Sequence, residues 1–429
     1  MPNHFPEIFL RLMNNNIFLR LDWLSLLLYI AMVCFGIINI YSTTYTEGIS
    51  GFETLSNSVT KQFWIFVFCL STFPLLLFTK PSFFENFSYI FYGLSILSLI
   101  GLFIFGHTIS GANSWYLIGG FSIQPSEFSK ITTAMVLALN LSSFQNDIRQ
   151  KKTFFKILFL IVLPMLLIIF QPDPGSALVF IGLFFVLIRE GLDLRFLYFG
   201  ITFFILFIFT LLLGSLAVCL ITSFIVFLVF YIQKGVASKT KKTPFLVSLG
   251  ICIIFSYSVN FIFNSIFEQR HRDRFNIILG LDADKKGIGY NINQSKIAIG
   301  SGGLSGKGFL NGTQTKGNFV PEQHTDYIFS TIGEEWGFIG SSLLIIGFTV
   351  LILRIIYRAE KQTSAYRRIF SYAFASILFV HFFINIGMTL GLVPTVGIPL
   401  PFISYGGSNL IAFSIMLFIY LNFDANRLN

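Results

Sequence analysis

The sequence predicts an all-α polytopic membrane protein of about 12 transmembrane helices with one large extracytoplasmic loop. Three observations carry this. Of 429 residues, 54% are hydrophobic and only 11% charged, against roughly 25% charged in soluble domains. The apolar residues, 55 Phe among them, gather in runs close to the ~20 residues that a membrane helix needs. The basic residues between the runs fall on alternate connections. So much apolar surface also excludes a disordered chain.

The runs are 23–43, 61–79, 86–106, 125–145, 154–170, 175–189, 195–213, 216–232, 246–267, 331–357, 369–390 and 402–422. Those at 175–189 and 216–232 are short. An even count puts both termini on one side. One set of connections holds Arg11 and Arg20, Lys80, the 149–152 cluster, Arg189 and Arg195, Lys234 to Lys242, and the 358–368 cluster. The alternate connections 107–124, 171–174, 214–215 and 391–401 hold no Lys or Arg. The positive-inside rule therefore places the termini in the cytoplasm. Residues 1–22 read as a cytoplasmic juxtamembrane segment, 23–422 as the transmembrane domain and 423–429 as a cytoplasmic tail.

On this topology residues 268–330 form the single long loop, and it lies outside. Its basic residues do not break the rule, because long loops translocate largely regardless of charge. Long loops usually carry function. The net charge of +9 suits topology and anionic lipid, not nucleic acid. Cys34, Cys69, Cys219 and Cys252 sit inside apolar runs and form no CxxC, so they read as small core hydrophobes. The first apolar run is too long for a cleavable signal peptide and lacks a small-residue cleavage site.

Several polar constellations interrupt the apolar pattern. Residues 300–309, Gly-Ser-Gly-Gly-Leu-Ser-Gly-Lys-Gly-Phe, fail the P-loop pattern at Ser301 and Gly308. They make either a backbone cradle for an anion or a set of plain turns. Asp326, at the junction of the outer loop and the next helix, is either a first-turn carboxylate matching the helix dipole or a general base at the membrane edge. His324 is a second proton handler or a plain hydrogen-bonding residue. Glu334 and Glu335 follow; acids inside a membrane are costly and functional by default, although helix-start dipole matching explains them nearly as well. Arg270, Arg272 and Arg274, in the run Arg-His-Arg-Asp-Arg, suit either a diphosphate or lipid headgroups. Gln124-Pro-Ser-Glu127 opens a helix, with Pro in the first turn, and Lys130 is placed to pair with Glu127. Trp115 just before it reads as an interface anchor, and Asp173 as a turn residue. Residues 391–408 pack three prolines and four glycines between two helices. Irregular backbone at membrane depth requires protein cover or a cavity, so this reads as a re-entrant element beside a substrate channel.

Taken in order, these segments resemble the SEDS family (shape, elongation, division and sporulation), which includes RodA, FtsW and SpoVE. The matching pieces are Gly111-Ala112 with Trp115; Gln124-Pro-Ser-Glu-Phe128 with Lys130; Gln171-Pro-Asp173 with Gly175; and Gln294-Ser295. They continue with Ile299 to Leu304, Gly306-Lys-Gly308, Pro321-Glu322, His324-Thr-Asp326, Asn385-Ile-Gly-Met388 and Val396 to Ser408. They span nearly the whole chain, and Gly312-Thr-Gln314 tilts the match toward the RodA branch.

The resemblance implies a peptidoglycan glycosyltransferase of the inner membrane that polymerises lipid II during cell elongation. In that reading Asp326 matches the family's essential acid, deprotonating the acceptor 4-hydroxyl for attack on C1 of the donor, with inversion and loss of undecaprenyl pyrophosphate. Arg270, Arg272, Arg274 and Lys307 become candidates for the diphosphate, and Trp115, Glu127, Lys130 and His324 for the rest of the substrate site. No cofactor or protein metal site is assigned; a divalent cation, Mg or Mn, is the alternative source of positive charge. The implied partners are lipid II, a class B penicillin-binding protein and other elongation-complex membrane proteins. The competing reading is a lipid II flippase, which needs charge spread through the membrane depth. Two departures stand out. Ser114 replaces an Arg common in the family, and the family usually has ten helices, the surplus here lying in 195–267.

Overall fold

The computed structural model describes residues 17–45, 57–109, 111–119, 121–143, 147–236, 243–267, 269–281 and 288–427. Arg11, Lys239, Lys241, Lys242, Lys285 and Lys286 lie outside these, as does the side chain of Arg270. The chain forms two compact units, residues 1–191 with 291–429, and residues 192–290.

After a short helical turn at Ile17–Arg20, the first unit runs through α1 (Trp23–Thr44), α2 (Asn57–Phe78) and α3 (Pro81–Phe105). Three short strands follow: β1 (His107–Ile109), β2 (Ala112–Ile118) and β3 (Phe121–Ile123). They pair antiparallel in the order β1-β2-β3. This small sheet is absent from the sequence reading, because β1 and β3 have three residues each and β2, Ala-Asn-Ser-Trp-Tyr-Leu-Ile, does not alternate polar with apolar. Then come α4 (Pro125–Ser142), α5 (Lys151–Ile169), α6 (Pro174–Val179) and α7 (Leu183–Arg189), the last two joined by a tight turn at Phe180–Gly182. Pro81, Pro125 and Pro174 each occupy the first turn of their helix, where a missing N–H loses nothing.

The second unit holds α8 (Arg195–Leu213), α9 (Ser215–Val236), α10 (Thr243–Phe261) and α11 (Gln269–Ile278). Its three long helices bury only 11% of their apolar windows within the protein. They meet along a polar seam in which Thr210 Oγ1 and Ser256 Oγ lie 3.0 Å apart. The chain returns through α12 (Ile288–Ser301), α13 (Thr313–Lys316), α14 (Ile328–Ala359), α15 (Ala365–Thr389) and α16 (Gly407–Ala425).

Each of the twelve expected runs holds a helix over most of its described residues, the last beginning only at Gly407. Ten of the helices among the described residues are long and apolar enough to cross a membrane. The other two are α4, which mixes Ser, Thr, Glu and Lys with its apolar residues, and the broken stretch Pro174–Arg189. α4 tolerates its polar residues because protein covers most of it. The centre of the first unit is α15 and α16, whose apolar windows are 72% and 89% buried.

At one end of this unit a buried charge cluster ties α1, α14 and α16 together. Asp22 is buried and accepts from Arg354 Nε at 3.1 Å, Ser25 Oγ at 2.8 Å and the Tyr420 hydroxyl at 3.1 Å. Arg358 Nη2 meets Asp424 Oδ2 at 2.8 Å. Burial alone would raise the Asp22 carboxyl. The Arg354 and Ser25 hydrogen bonds and the Arg358 charge outweigh it and hold the group below its ordinary 3.8. A group with a depressed folded value stabilises the protein above its unfolded pKa and loses that contribution as pH falls through the folded value. Asp22→Asn is therefore expected to lower stability by about 3 kcal/mol at neutral pH. The difference in melting temperature from the wild type should stay level over about pH 5 to 8 and close only below the unfolded value.

Candidate active site

The long loop is ordered by two buried carboxylates at the start of α14. Glu334 is fully buried and accepts from Lys307 Nζ at 2.8 Å, the Gln314 and Thr315 amides at 2.9 Å each, and Thr315 Oγ1 at 2.8 Å. Glu335, one residue on, accepts from Ser42 Oγ. Directly after them α14 is broken at Gly337, where φ is 65° and ψ −161°.

The Gly-rich stretch fills this break. Lys307 and Gly308 donate their amides to the Glu334 and Glu335 carbonyls at 3.0 Å each. In return the Phe338 and Ile339 amides reach the Gly303 and Leu304 carbonyls at 2.9 and 3.1 Å. A Cβ at Gly306 would stand 2.1 Å from the Glu335 carbonyl oxygen, so only glycine admits the two backbones at this spacing. Of the two sequence readings, the structure supports turns: these amides serve the helix break. Gly306→Ala is expected to expel the loop from the kink, read as faster hydrogen exchange across 302–316.

Asp326 sits in the turn just before α14 and is half-buried. The irregular stretch 391–406 grips this turn residue by residue. The Tyr405 amide donates to the His324 carbonyl at 2.9 Å, and Ser404 Oγ to the Thr325 carbonyl at 2.6 Å. Asn385 Nδ2, on α15, donates to the Asp326 carbonyl at 2.9 Å and to the Ile398 carbonyl at 2.7 Å. The carboxylate itself faces Gly397, where a Cβ would stand 3.3 Å from Asp326 Oδ2. Gly397 has φ of 71°, which favours glycine. The His324 ring lies 5.7 Å from that of Tyr405.

A second polar cluster is buried behind this segment. Lys130 Nζ meets Glu127 Oε1 at 2.6 Å and His381 Nε2 at 2.9 Å. Asn409 Nδ2 donates to Glu127 Oε2 at 3.1 Å, and His381 Nδ1 lies 3.3 Å from the Pro399 carbonyl. All four side chains are at most 5% exposed. The adjoining motif residues are also joined: Gln124 Nε2 donates to Asp173 Oδ2 at 2.9 Å, and the Gln124 amide to Ser408 Oγ at 3.0 Å.

The structure thus brings together Asp326, His324 and the irregular stretch 391–406, and beside them Glu127 and Lys130. Lys307 is engaged by Glu334. Trp115 lies on β2, opposite His107 of β1. Arg270, Arg272 and Arg274 lie on α11 in the second unit, where Arg272 Nη1 donates to the Asn264 carbonyl at 3.0 Å. The sequence reading did not single out His381, Asn409 or Ser404, and it quoted Asn385 only as part of a motif. The available signal was spacing: His381 precedes Asn385 by one helical turn, on the same face.

A membrane domain whose irregular segment clasps the turn that carries Asp326, with an ion pair buried behind it, defines a multi-pass membrane protein carrying a built polar site. The chain belongs to the family of FtsW, RodA and SpoVE, described as cell cycle proteins, which matches residues 22–228 and 199–429. It is 33% identical over 348 residues to the peptidoglycan glycosyltransferase MrdB of Escherichia coli, covering 81% of this chain and 80% of the relative. It is 31% identical over 431 residues to the peptidoglycan glycosyltransferase RodA of Treponema pallidum, covering 95% and 98%. Among solved structures, a peptidoglycan synthase complex that coordinates polymerization and crosslinking matches with a TM-score of 0.71 and 24% identity, covering 95% of this chain and 99% of that one. The rod shape determining protein RodA of Thermus thermophilus matches with a TM-score of 0.61 and 24% identity, covering 95% and 98%.

Proposed function

We propose that this chain is a peptidoglycan glycosyltransferase that polymerises lipid II into glycan strands during cell elongation. The observation that carries the reading is the clasp on Asp326. Three successive carbonyls, of His324, Thr325 and Asp326, are held by Tyr405, Ser404 and Asn385. The carboxylate faces Gly397 of an irregular segment, and such backbone belongs beside a cavity or under protein cover. Support also comes from the names of the Escherichia coli and Treponema relatives.

In this mechanism Asp326 accepts the proton of the acceptor sugar's 4-hydroxyl. The oxygen attacks C1 of the donor, the C1–O bond to the diphosphate breaks, and undecaprenyl pyrophosphate departs with inversion at C1. Departure needs positive charge; by chemistry alone the candidates are the guanidinium groups of Arg270, Arg272 and Arg274. A divalent cation, Mg or Mn, is the alternative source of that charge. Trp115, Glu127, Lys130 and His324 are assigned to the substrate side of the site.

The alternation of basic loops supports an inner-membrane orientation with cytoplasmic termini and an extracytoplasmic site. The partner that fits is a class B penicillin-binding protein, since the solved complex of the related fold couples polymerization to crosslinking. The test incubates the purified protein and such a partner with labelled lipid II. Glycan ladders are expected. No ladders with an active partner, together with movement of labelled lipid II across vesicles, would overturn the reading in favour of a flippase.

A further inference from the structure

We propose that His381 is a positioning residue for Asp326, acting as a neutral imidazole that couples the buried Glu127–Lys130 pair to the backbone of residues 397–399. The proposal rests on the assignment of Asp326 as the base, but it makes a separate prediction about the ring itself.

The geometry fixes the ring's chemistry. An ammonium can only donate, so Lys130 Nζ at 2.9 Å requires an acceptor at His381 Nε2. The ring proton is then on Nδ1, where the Pro399 carbonyl lies 3.3 Å away to receive it. Both requirements are met by one neutral tautomer. The Phe413 ring packs edge-on at 4.8 Å, and the side chain is 1% exposed, so the ring has no room to turn over.

The consequence reaches Asp326 through two adjacent carbonyls. His381 holds Pro399, and Asn385, one turn further along α15, holds Ile398 and Asp326 together. The next residue back is Gly397, which faces the Asp326 carboxylate. A displacement of Pro399 therefore moves the wall against which the base is set. Misplacement by about 1 Å can reduce a catalytic rate about a hundredfold.

Three variants of the full-length protein, assayed with its partner on lipid II, test this. His381→Gln keeps an acceptor for Lys130 and a donor for Pro399, and is expected to retain kcat within about fivefold. His381→Leu and His381→Phe fill the volume against Phe413 without either hydrogen bond. They are expected to lower kcat about 30- to 100-fold with KM for lipid II little changed. Leu or Phe variants at wild-type kcat, or a Gln variant as impaired as Leu, would overturn the proposal. A second measurement does not depend on activity. The chain has five His, so the 15N signals lost in His381→Gln belong to His381. They should report the Nδ1-protonated neutral ring; an Nε2-protonated or doubly protonated ring overturns the proposal even if the assignment of the reaction stands. Wild-type protein that shows the expected tautomer yet makes no strands would instead remove the reaction and, with it, the positioning role.

Discussion

Asp326→Asn should lower glycan strand synthesis about 10²- to 10⁴-fold, the range that a general base contributes, while leaving the protein folded. Asn is nearly isosteric with Asp. The clasp on this turn holds the backbone carbonyls of residues 324–326, and these contacts survive the substitution, so the turn should keep its place. What is lost is the ability to take a proton. KM for lipid II should change little, because the proposed role of this group is realised in the transition state. The measurement is ladder formation from labelled lipid II beside a melting curve of the same preparation. A variant within tenfold of wild type would remove Asp326 from the mechanism. A variant that melts much earlier would show that the carboxylate helps to hold the turn.

The largest stability effect is expected at Glu334. Glu334→Ala should cost about 3–5 kcal/mol, the usual range for breaking a buried ion pair from one side. The loss would strand Lys307 and the amides of Gln314 and Thr315, all of which now point at one carboxylate. Since the adjacent break in α14 is filled by residues 303–308, the same change should loosen the whole 302–316 segment. Faster hydrogen exchange there, with α15 and α16 unchanged, is the expected pattern. Lys307→Met should cost less, because Glu334 keeps its amide and hydroxyl donors. Equal losses for the two variants would mean that the ion pair, not the amide set, organises the loop.

The sequence alone was enough for the run of membrane helices, because twenty apolar residues in a row have no other physical outcome at this composition. The helix start at Pro125 was legible for the same kind of local reason. The irregular backbone of 391–406 followed from its prolines and glycines. Asp326, Glu127 and Lys130 could be picked out as charged residues at membrane-helix boundaries, though the weight given to Asp326 came from resemblance.

Other features were decided only by contacts between distant residues. The 300–309 glycines read equally well as an anion cradle or as turns, until Gly306 met the backbone of Glu335 and Gly337. Glu334 read as a functional acid inside the membrane or, nearly as well, as a helix-start acid; its contacts make it the hub of a loop that precedes it by some 20 residues. For His381 the only local signal is its one-turn spacing from Asn385; its partners are Lys130, 251 residues away, and the Pro399 carbonyl on the next segment. Periodicity and composition report what one stretch of chain needs from its surroundings. Which donor reaches which acceptor is settled by packing, because a buried polar group must find its partner wherever the fold puts one.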